Sequence, residues 1–359
     1  MVKRSINVHY KGYPKYKGNA KSICTQILDD CYNTKNNYFQ VSTGHFCEFY
    51  SRDFGWIVKS LLQLGYREQV TRTLSYALGN FRAHDRIRVA ISPKGVPFDF
   101  PNYAVDSVPY IVYALAELND PELTGKYKQF LEREILHLYK TAVDKKTGLV
   151  RKDKTFSSMK DHAKRQSSCY DACMLYLLQQ SCKKLQLNSQ LEDYNYPQLL
   201  KKYYWKNDHF VDDLSGKDYL AGDAQVFPFW TGAITDQKML LAVIKKITKE
   251  KLDQPLSLRY TVASEKEKAS LNFYNILSPE YERHTVWTHM GILYLHVLKS
   301  AGTEAHQLYV HHHNVYRGMI ESLGTFPEVL NPDCSLYKST FYFCDTGMSW
   351  CANYLSLQK

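Results

Sequence analysis

The 359-residue sequence lacks the cysteine spacings that disulfide frameworks and structural metal sites require. Its nine cysteines are odd in number and scattered, and no Cys-x-x-Cys pair occurs. No Asn-x-Ser/Thr glycosylation signal occurs, and the basic N-terminus is not followed by the apolar run of a signal peptide. These absences are typical of a cytoplasmic protein with reduced cysteines. We therefore predict a cytoplasmic location, free thiols and no metal.

Long apolar runs and nucleotide-binding motifs are missing as well. No segment approaches the roughly 20 consecutive apolar residues that span a bilayer. Neither Gly-x-x-x-x-Gly-Lys nor Gly-x-Gly-x-x-Gly nor Gly-x-Ser-x-Gly occurs, so nucleotide-dependent and serine-hydrolase chemistry lose their usual support. The net charge is +10, but the basic residues are spread among acidic ones, as on a solvated surface. We expect no nucleic-acid partner, no membrane partner and no cofactor.

The chain does have a large core and strong helical periodicity. Hydrophobic residues make up 44% of it, including 29 Tyr, 16 Phe and 5 Trp. Apolar residues repeat at helical spacing in paired segments, the first from Trp56 to Phe81 and the second from Val108 to Tyr139. The breaks at Gly65-Tyr66 and at Asn119-Asp120-Pro121 predict the turns of two helical hairpins. Further helices are predicted around 174–178, 239–247, 286–297, 304–323 and 345–356.

Long polar loops, rich in charged and aromatic residues, precede the hairpins. A repeated helix pair with functional loops on one side is typical of a closed toroid or of a solenoid. Solenoid repeats carry a short fixed period and matching sequence, which this chain does not show. We therefore predict an all-α fold, a single (α/α)6 barrel over residues 1–359. In it, residues 1–40 form an N-terminal segment and the first helix, and one mouth is lined by the loops.

Six loop segments place a carboxylate or an aromatic ring beside a predicted helix start. Carboxylates and guanidinium groups bind sugar hydroxyls in charge-assisted hydrogen bonds, and flat aromatic faces cover the apolar side of a pyranose ring. The segments therefore favour a sugar site at the mouth. They are Tyr50–Trp56, Tyr103–Pro109, Ser157–His162, Gly222–Trp230, His284–Trp287 and Phe326–Val329.

The order of these motifs over residues 45–357 resembles a known group. The motifs are Arg52-Asp53, Val105-Asp106-Ser107-Val108-Pro109, Asp161 followed by Arg165, Thr285-Val286-Trp287, Glu328 and Ser349-Trp350. The sequence is similar to the inverting glycosidases with (α/α)6 barrels, nearest to the amylo-α-1,6-glucosidase domain of glycogen debranching enzymes, with trehalase and processing α-glucosidase as relatives. It departs from the family pattern where a Trp is absent and Lys160 precedes the acid, and where the final pair reads Ser-Trp instead of Trp-Ser.

The resemblance implies a role for each of these residues. Asp161 is the expected general acid, with Asp153 and Asp171 as substitutes, and Glu328 is the expected general base. The sugar is expected to be held by Arg52, Asp53, Asp106 and Arg165, with Trp56, Trp230, Trp287 and Trp350 as aromatic walls.

Elementary chemistry gives its own reason for two carboxyl groups. One carboxyl must give a proton to the leaving oxygen, and an ionised one must deprotonate water on the opposite face of the sugar. Inversion needs a gap of roughly 6.5 to 9.5 Å between the two groups to hold that water. Asp161 and Glu328 are far apart in sequence, so only the barrel can bring them together. The function predicted is an exo-acting, inverting hydrolase of an oligosaccharide or small glycoside with an α-glucosidic or related bond.

Other interpretations remain open at this point. Arg52-Asp53 could be a helix-start ion pair, and Asp106 could be a helix cap. The chain could be a sugar-binding protein without catalysis, motivated by Lys160. The same barrel also hosts lyases and epimerases, and an epimerase would need paired histidines from His45, His162 and His284. The triplet His311-His312-His313 points in different directions on a helix and favours a solvated face over a metal site. The sequence leaves the oligomeric state unknown.

Overall fold

The computed structural model describes Arg4, Val8 and residues 12–160, 163–217, 219–262, 280–339 and 342–358. Over these residues it contains twelve α-helices and nine two-residue strands. The helices alternate between an inner and an outer layer. The inner helices are α2 (Ser51–Leu64), α4 (Ser107–Leu118), α6 (Cys169–Leu185), α8 (Gly222–Trp230), α10 (Thr288–Ser300) and α12 (Cys351–Ser356). The outer helices are α1 (Ala20–Cys31), α3 (Arg67–Ala83), α5 (Pro121–Ala142), α7 (Tyr196–Tyr203), α9 (Gln237–Lys249) and α11 (His306–Leu323).

The inner helices form a closed ring. Each packs against the next in the order α2, α4, α6, α8, α10 and α12, and α12 packs against α2. Each outer helix from α3 to α11 packs against the inner helix that precedes it in the sequence. The remaining outer helix, α1, packs against α12 and α11. This is the predicted (α/α)6 barrel, closed by pairing the first outer helix with the last inner one.

Burial separates the two layers as their sequences require. Nearly all of α4 is buried, because this inner helix packs between the inner helices α2 and α6 and against the outer helices α3 and α5. The outer helix α3 buries only Val70, Thr73, Leu74, Ala77, Leu78 and Phe81, which lie on one face at helical spacing. The remaining face of α3 is polar. None of the helices that the structure describes is long and apolar enough to cross a membrane.

The predicted hairpin turns are confirmed, with a physical reason for each. Gly65 ends α2 with φ of 99°, a left-handed conformation that glycine adopts without strain. Asn119 ends α4 in the same region, with φ of 51°. Asp120 then accepts a hydrogen bond from the Leu123 amide and caps α5, whose first residue is Pro121.

Short antiparallel strands fix the loops that precede the inner helices. The strands are β1 (Tyr32–Asn33), β2 (Tyr38–Phe39), β3 (Phe49–Tyr50), β4 (Ala90–Ile91), β5 (Pro97–Phe98), β6 (Trp205–Lys206), β7 (His209–Phe210), β8 (Val286–Trp287) and β9 (Val329–Leu330). Strand β3, just before α2, pairs with β4, and β4 pairs with β5 in the loop before α4. Strand β8, just before α10, pairs with β9 in the loop before α12.

Three local predictions are wrong. Val286 and Trp287 lie in β8 and not in a helix, because they pair with Leu330 and Val329. The last helix begins at Cys351 and not near 345. The Asp345 carboxylate accepts hydrogen bonds from the backbone amides of His45, Phe46 and Thr346, which holds this segment as a loop. His312 is buried against Asp253, so the histidine triplet is not a uniformly solvated face.

Candidate active site

The N-terminal ends of the inner helices meet at one end of the barrel. Arg52, at the start of α2, contacts Asp106, which directly precedes α4, and Tyr170, at the start of α6, reaches the same carboxylate. Trp350, directly before α12, bonds to Asp53 in the first turn of α2. We call this end, with the loops that precede the inner helices, the mouth. Helix N-termini carry partial positive charge and unpaired amides, so the mouth is suited to carboxylates and to hydroxyl-rich ligands.

Asp106 is held by a cation and by a phenol. Its Oδ2 accepts from Arg52 Nε at 2.6 Å and from the Tyr170 hydroxyl at 2.8 Å. The carboxylate occupies the N-cap position of α4, yet it makes no capping hydrogen bond to that helix. Capping therefore does not explain Asp106. Arg52 is in turn fixed by this pair, and both side chains are buried.

Three of the four predicted tryptophans gather around one histidine. The ring of His289, the second residue of α10, stacks on Trp56 with centroids 4.2 Å apart and planes 3° apart. Trp350 and Trp287 present their edges to the same imidazole, at 4.9 Å and 5.3 Å. Trp230 is elsewhere, because it ends α8 at the far end from Asp223 and packs on Tyr113 and Phe227.

Glu328 lies in the loop before α12, and strand pairing brings it to the mouth. β9 begins at Val329 and pairs with β8, and the Thr288 amide at the start of α10 donates to the Glu328 carbonyl. The carboxylate accepts from the Tyr281 hydroxyl at 2.5 Å, from the Tyr342 hydroxyl at 2.6 Å and from the Asp345 amide at 2.8 Å. Glu328 is 3% exposed.

The surroundings of Glu328 set its proton affinity. Burial raises the pKa of Glu328 to about 7, and the hydrogen bonds from Tyr281, Tyr342 and the Asp345 amide oppose that rise. All three donors are electrically neutral. The carboxyl can therefore take up and release a proton near neutral pH while its position stays fixed.

Arg165 anchors a second group of carboxylates. Its Nη1 lies 2.7 Å from Asp223 Oδ2 and 3.2 Å from Asp212 Oδ1, and its Nη2 donates to the Ser158 hydroxyl. Asp223 stands in the first turn of α8, with Oδ1 buried and without a hydrogen-bond partner among the described residues. The ammonium of Lys160, 1% exposed, lies over the rings of Tyr219 and Tyr260, 5.4 Å from each centroid.

The three candidates for the general acid, Asp161, Asp153 and Asp171, differ in burial and in proton affinity where the structure describes them. Asp161 lies outside the described residues, as does His162. Asp153 is at the surface, and its bidentate pair with Arg151 lowers its pKa, which is opposite to what a proton donor needs. Asp171 is buried in the first turn of α6. Burial raises the pKa of Asp171 to about 6, although the Arg165 charge opposes the rise, and its Oδ1 has no hydrogen-bond partner within the described ranges.

His45 and His284, the two described histidines considered for an epimerase, each lie beside a carboxylate. His45 Nδ1 lies 3.4 Å from Asp345 Oδ1, and burial lowers the pKa of that imidazole. His284 Nε2 lies 3.2 Å from Glu280 Oε2. In the described part of the chain, no group of three His, Cys, Asp or Glu side chains is arranged to hold a metal ion.

Several mouth residues were not predicted from the sequence. Tyr281 and Tyr342 lie in loops that were recognised as rich in aromatic residues, but nothing singled them out as partners of Glu328. Asp212 lies in such a loop as well. The sequence contained one indication for His289, since it is a polar residue directly before the largely apolar run from Met290 to Leu295.

Comparisons with known proteins agree on the fold. No family model matches the sequence, and no curated protein sequence matches it. A wild-type glycosidase structure matches with a TM-score of 0.66 and 12% identity, over 94% of this chain and 95% of the other. A GH63 mannosylglycerate hydrolase from Thermus thermophilus, in complex with Tris and D-glycerate, matches at 0.64 and 11%, over 94% and 99%. A bacterial glucoamylase in complex with acarbose matches at 0.65 and 12%, over 98% of this chain and 55% of the other.

At these identities the comparisons show the fold alone. The chain has the (α/α)6 barrel of these glycosidases, which confirms the predicted architecture. The nearer likeness to glycogen debranching enzymes stays a prediction, and so do the roles of the individual mouth residues.

Proposed function

We propose that this protein is a glycoside hydrolase that removes a terminal sugar from an α-glucosidic or related bond, with inversion and without a cofactor. The observation that carries the proposal is Glu328, a buried carboxyl with a pKa near neutrality, placed at the mouth among neutral hydrogen-bond donors. The solved structures that share the fold bear the names of glycosidases of differing specificity, which supports the reaction class and leaves the sugar open.

Glu328 has the properties of a general base. A base works best when its pKa is close to the working pH, because it is then both ionised and able to accept a proton. Two tyrosine hydroxyls and one amide fix both carboxylate oxygens. A carboxylate has about four lone-pair sites, so one is left to accept a hydrogen bond from a water molecule that attacks the sugar.

Asp161 is the proposed proton donor. The buried positions of its neighbours support this role: Lys160 precedes it at the mouth, and Arg165, four residues later, is fixed to Asp212 and Asp223. Inversion requires the two reacting carboxyl groups to be roughly 6.5 to 9.5 Å apart, with the water between them. Asp171 is the alternative donor within the described part of the mouth, because its pKa of about 6 keeps it partly protonated.

The sugar itself is expected to bind against Arg52, Asp53 and Asp106. Charged groups form the stronger hydrogen bonds with hydroxyls, and these three already lie within one connected set of contacts with Trp350 and Tyr170. The rings of Trp56, Trp287 and Trp350 exclude water from one side of that set. Their exclusion of water also strengthens each electrostatic contact.

The test is a panel of disaccharides and malto-oligosaccharides, followed by proton NMR in the first minutes of reaction. We expect release of a monosaccharide whose first-formed anomer is opposite to that of the substrate. A first product with the substrate's own anomeric configuration would remove the inverting mechanism. No hydrolysis of any panel member would remove the proposed activity for this substrate class.

A second candidate function, sugar binding without hydrolysis, is favoured by one observation. Lys160 directly precedes Asp161, the proposed acid, in the sequence, and its side chain is buried. Its positive charge helps to lower the pKa of Asp212. The same charge would oppose protonation of a neighbouring acid. Equilibrium binding of oligosaccharides without the appearance of reducing ends, in wild type and in Lys160→Met, would favour this candidate. Hydrolysis by the wild-type protein would eliminate it.

A further inference from the structure

His289 is buried at the mouth without a hydrogen bond to any residue that the structure describes. It is 1% exposed, and neither its Nδ1 nor its Nε2 has a partner there. A buried polar group without a partner costs roughly 1 to 3 kcal/mol, so such groups are rare in folded proteins unless a ligand or water completes them. The surrounding aromatic faces and edges of Trp56, Trp287 and Trp350 supply no N or O hydrogen-bond partner to this imidazole.

The imidazole of His289 is held in its uncharged form. Burial and the positive charge of Arg52 both hold its pKa well below the usual range. An uncharged imidazole has one N–H donor and one acceptor nitrogen, in a fixed plane. Stacking on Trp56 at an interplanar angle of 3° fixes that plane.

The position of His289 connects it to the groups expected to hold the sugar. Trp350, whose edge faces the imidazole, donates its Nε1 to Asp53 Oδ1 at 2.9 Å. Trp56, whose face covers it, donates its Nε1 to the Tyr110 hydroxyl at 2.8 Å. The Tyr110 hydroxyl lies 3.2 Å from the hydroxyl of Tyr170, which donates to Asp106. The unpaired nitrogens thus lie within the same set of contacts as the proposed sugar ligands.

We propose that His289 binds a hydroxyl group of an uncharged sugar. A hydroxyl both donates and accepts, so it can satisfy either nitrogen of a neutral imidazole. A carboxylate could pair only with the N–H and would leave the acceptor nitrogen of the imidazole without a partner. A hydroxyl of a neutral pyranoside is therefore the group that matches His289. This inference rests on the proposed function, since it assigns a specificity-determining residue to the same mouth.

The test uses deoxynojirimycin and two epimers of it, deoxymannojirimycin and deoxygalactonojirimycin, each of which differs from deoxynojirimycin in the orientation of one hydroxyl. Binding to the full chain is measured by calorimetry in wild type, His289→Phe and His313→Phe. Phenylalanine keeps the stack on Trp56 and removes both nitrogens. The control, His313, lies on the outer helix α11 and stacks on Tyr354. We expect His289→Phe to weaken the tightest iminosugar about tenfold, the equivalent of one hydrogen bond, and His313→Phe to leave it unchanged.

A second measurement observes His289 in the wild-type protein itself. The wild-type protein, labelled with 15N in its histidines, is titrated from pH 5 to 8 and then with the iminosugar, and the His289 ring signals are identified by their absence in His289→Asn. We expect those signals to stay in the uncharged form throughout and to move when the iminosugar binds. Binding without any movement of these signals would overturn the inference and leave the proposed hydrolase intact. If none of the three iminosugars binds to wild type, the inference is overturned, and the hydrolysis panel decides separately on the proposed function.

Discussion

Glu328 and Asp212 are both buried carboxylates at the mouth, yet their surroundings shift their proton affinities in opposite directions. Glu328 accepts from two phenols and an amide, and burial raises its pKa to about 7. For Asp212, burial also favours the protonated form, but the charges of Lys160 and Arg165 outweigh it and lower its pKa. Burial is common to both residues, so the charge of the neighbours decides the outcome.

The comparison separates two tasks within one mouth. A carboxyl among neutral donors can exchange protons at neutral pH, which suits chemistry. A carboxylate between two cations stays ionised and holds Arg165 in place, which suits structure. If this division is right, changes to Glu328 should affect turnover with little effect on folding, and changes around Asp212 should do the reverse.

The largest expected effect comes from Glu328→Gln. The amide keeps the shape of the side chain but cannot take a proton, so kcat should fall by about 10² to 10⁴, the usual contribution of general acid–base catalysis. Binding of an iminosugar should change little. The matched control is Glu134→Gln, because Glu134 on α5 is also buried with a pKa raised by burial, yet it contacts the Ile87 amide and not the mouth. Undiminished hydrolysis by Glu328→Gln would eliminate the residue as the base.

The next effect concerns folding. Arg165→Met leaves Asp212 and Asp223 buried without their shared guanidinium, and removing one partner of a buried ion pair costs about 3 to 5 kcal/mol. Urea unfolding should show a loss of that order in the free energy of unfolding. The control is Arg133→Met, which removes a solvent-exposed pair with Asp85 and should cost about 1 kcal/mol or less. Equal losses of unfolding free energy in the two variants would mean that the ion pairs of Arg165 with Asp212 and Asp223 do not stabilise the fold more than an exposed pair does.

How far the sequence predicts this molecule depends on whether a signal is local. The helical hairpins are predicted well, because apolar periodicity and breaks such as Gly65 and Asn119-Asp120-Pro121 depend only on residues that are close together in the sequence. The barrel was inferred from the number of hairpins and their loops. The start of the last helix was not predictable, because the segment around Asp345 is held by amides from residues 45 and 46, about 300 positions away.

The same limit applies to the site. Arg52 and Asp106 were identified from motifs as sugar ligands, but their ion pair, which is present where a helix cap was the alternative interpretation, joins two different hairpins. Tyr281 and Tyr342 act on Glu328 across 47 and 14 residues, and neither spacing is a known pattern. Trp230 was grouped with the other tryptophans by residue type alone. Because it is the last residue of α8, it lies at the opposite end of that helix from Asp223.

The smallest expected effect comes from removing one hydrogen bond to Glu328, which tests whether neutral donors set its proton affinity. The Tyr342 hydroxyl donates to Glu328 Oε2 and so stabilises the ionised form, which lowers the pKa. Tyr342→Phe removes this donor, and the pKa of Glu328 should rise above about 7. Because the base must be ionised to act, the acid limb of kcat/KM should move to higher pH. The shift should be on the order of one pH unit, since a hydrogen bond to a charged group is worth roughly 1.5 kcal/mol or more.

The direction of that shift distinguishes a base from an acid. If Glu328 instead had to be protonated, the same substitution would leave the acid limb in place and would move the basic limb of the profile upward. Tyr103→Phe is the control, because Tyr103 is also a half-buried tyrosine in a loop before an inner helix, and its buried hydroxyl has no hydrogen-bond partner in the part of the chain that the structure describes. Its pH profile should match that of wild type. An unmoved acid limb in Tyr342→Phe would mean that neutral donors do not set the proton affinity of Glu328, and the contrast with Asp212 would lose its cause.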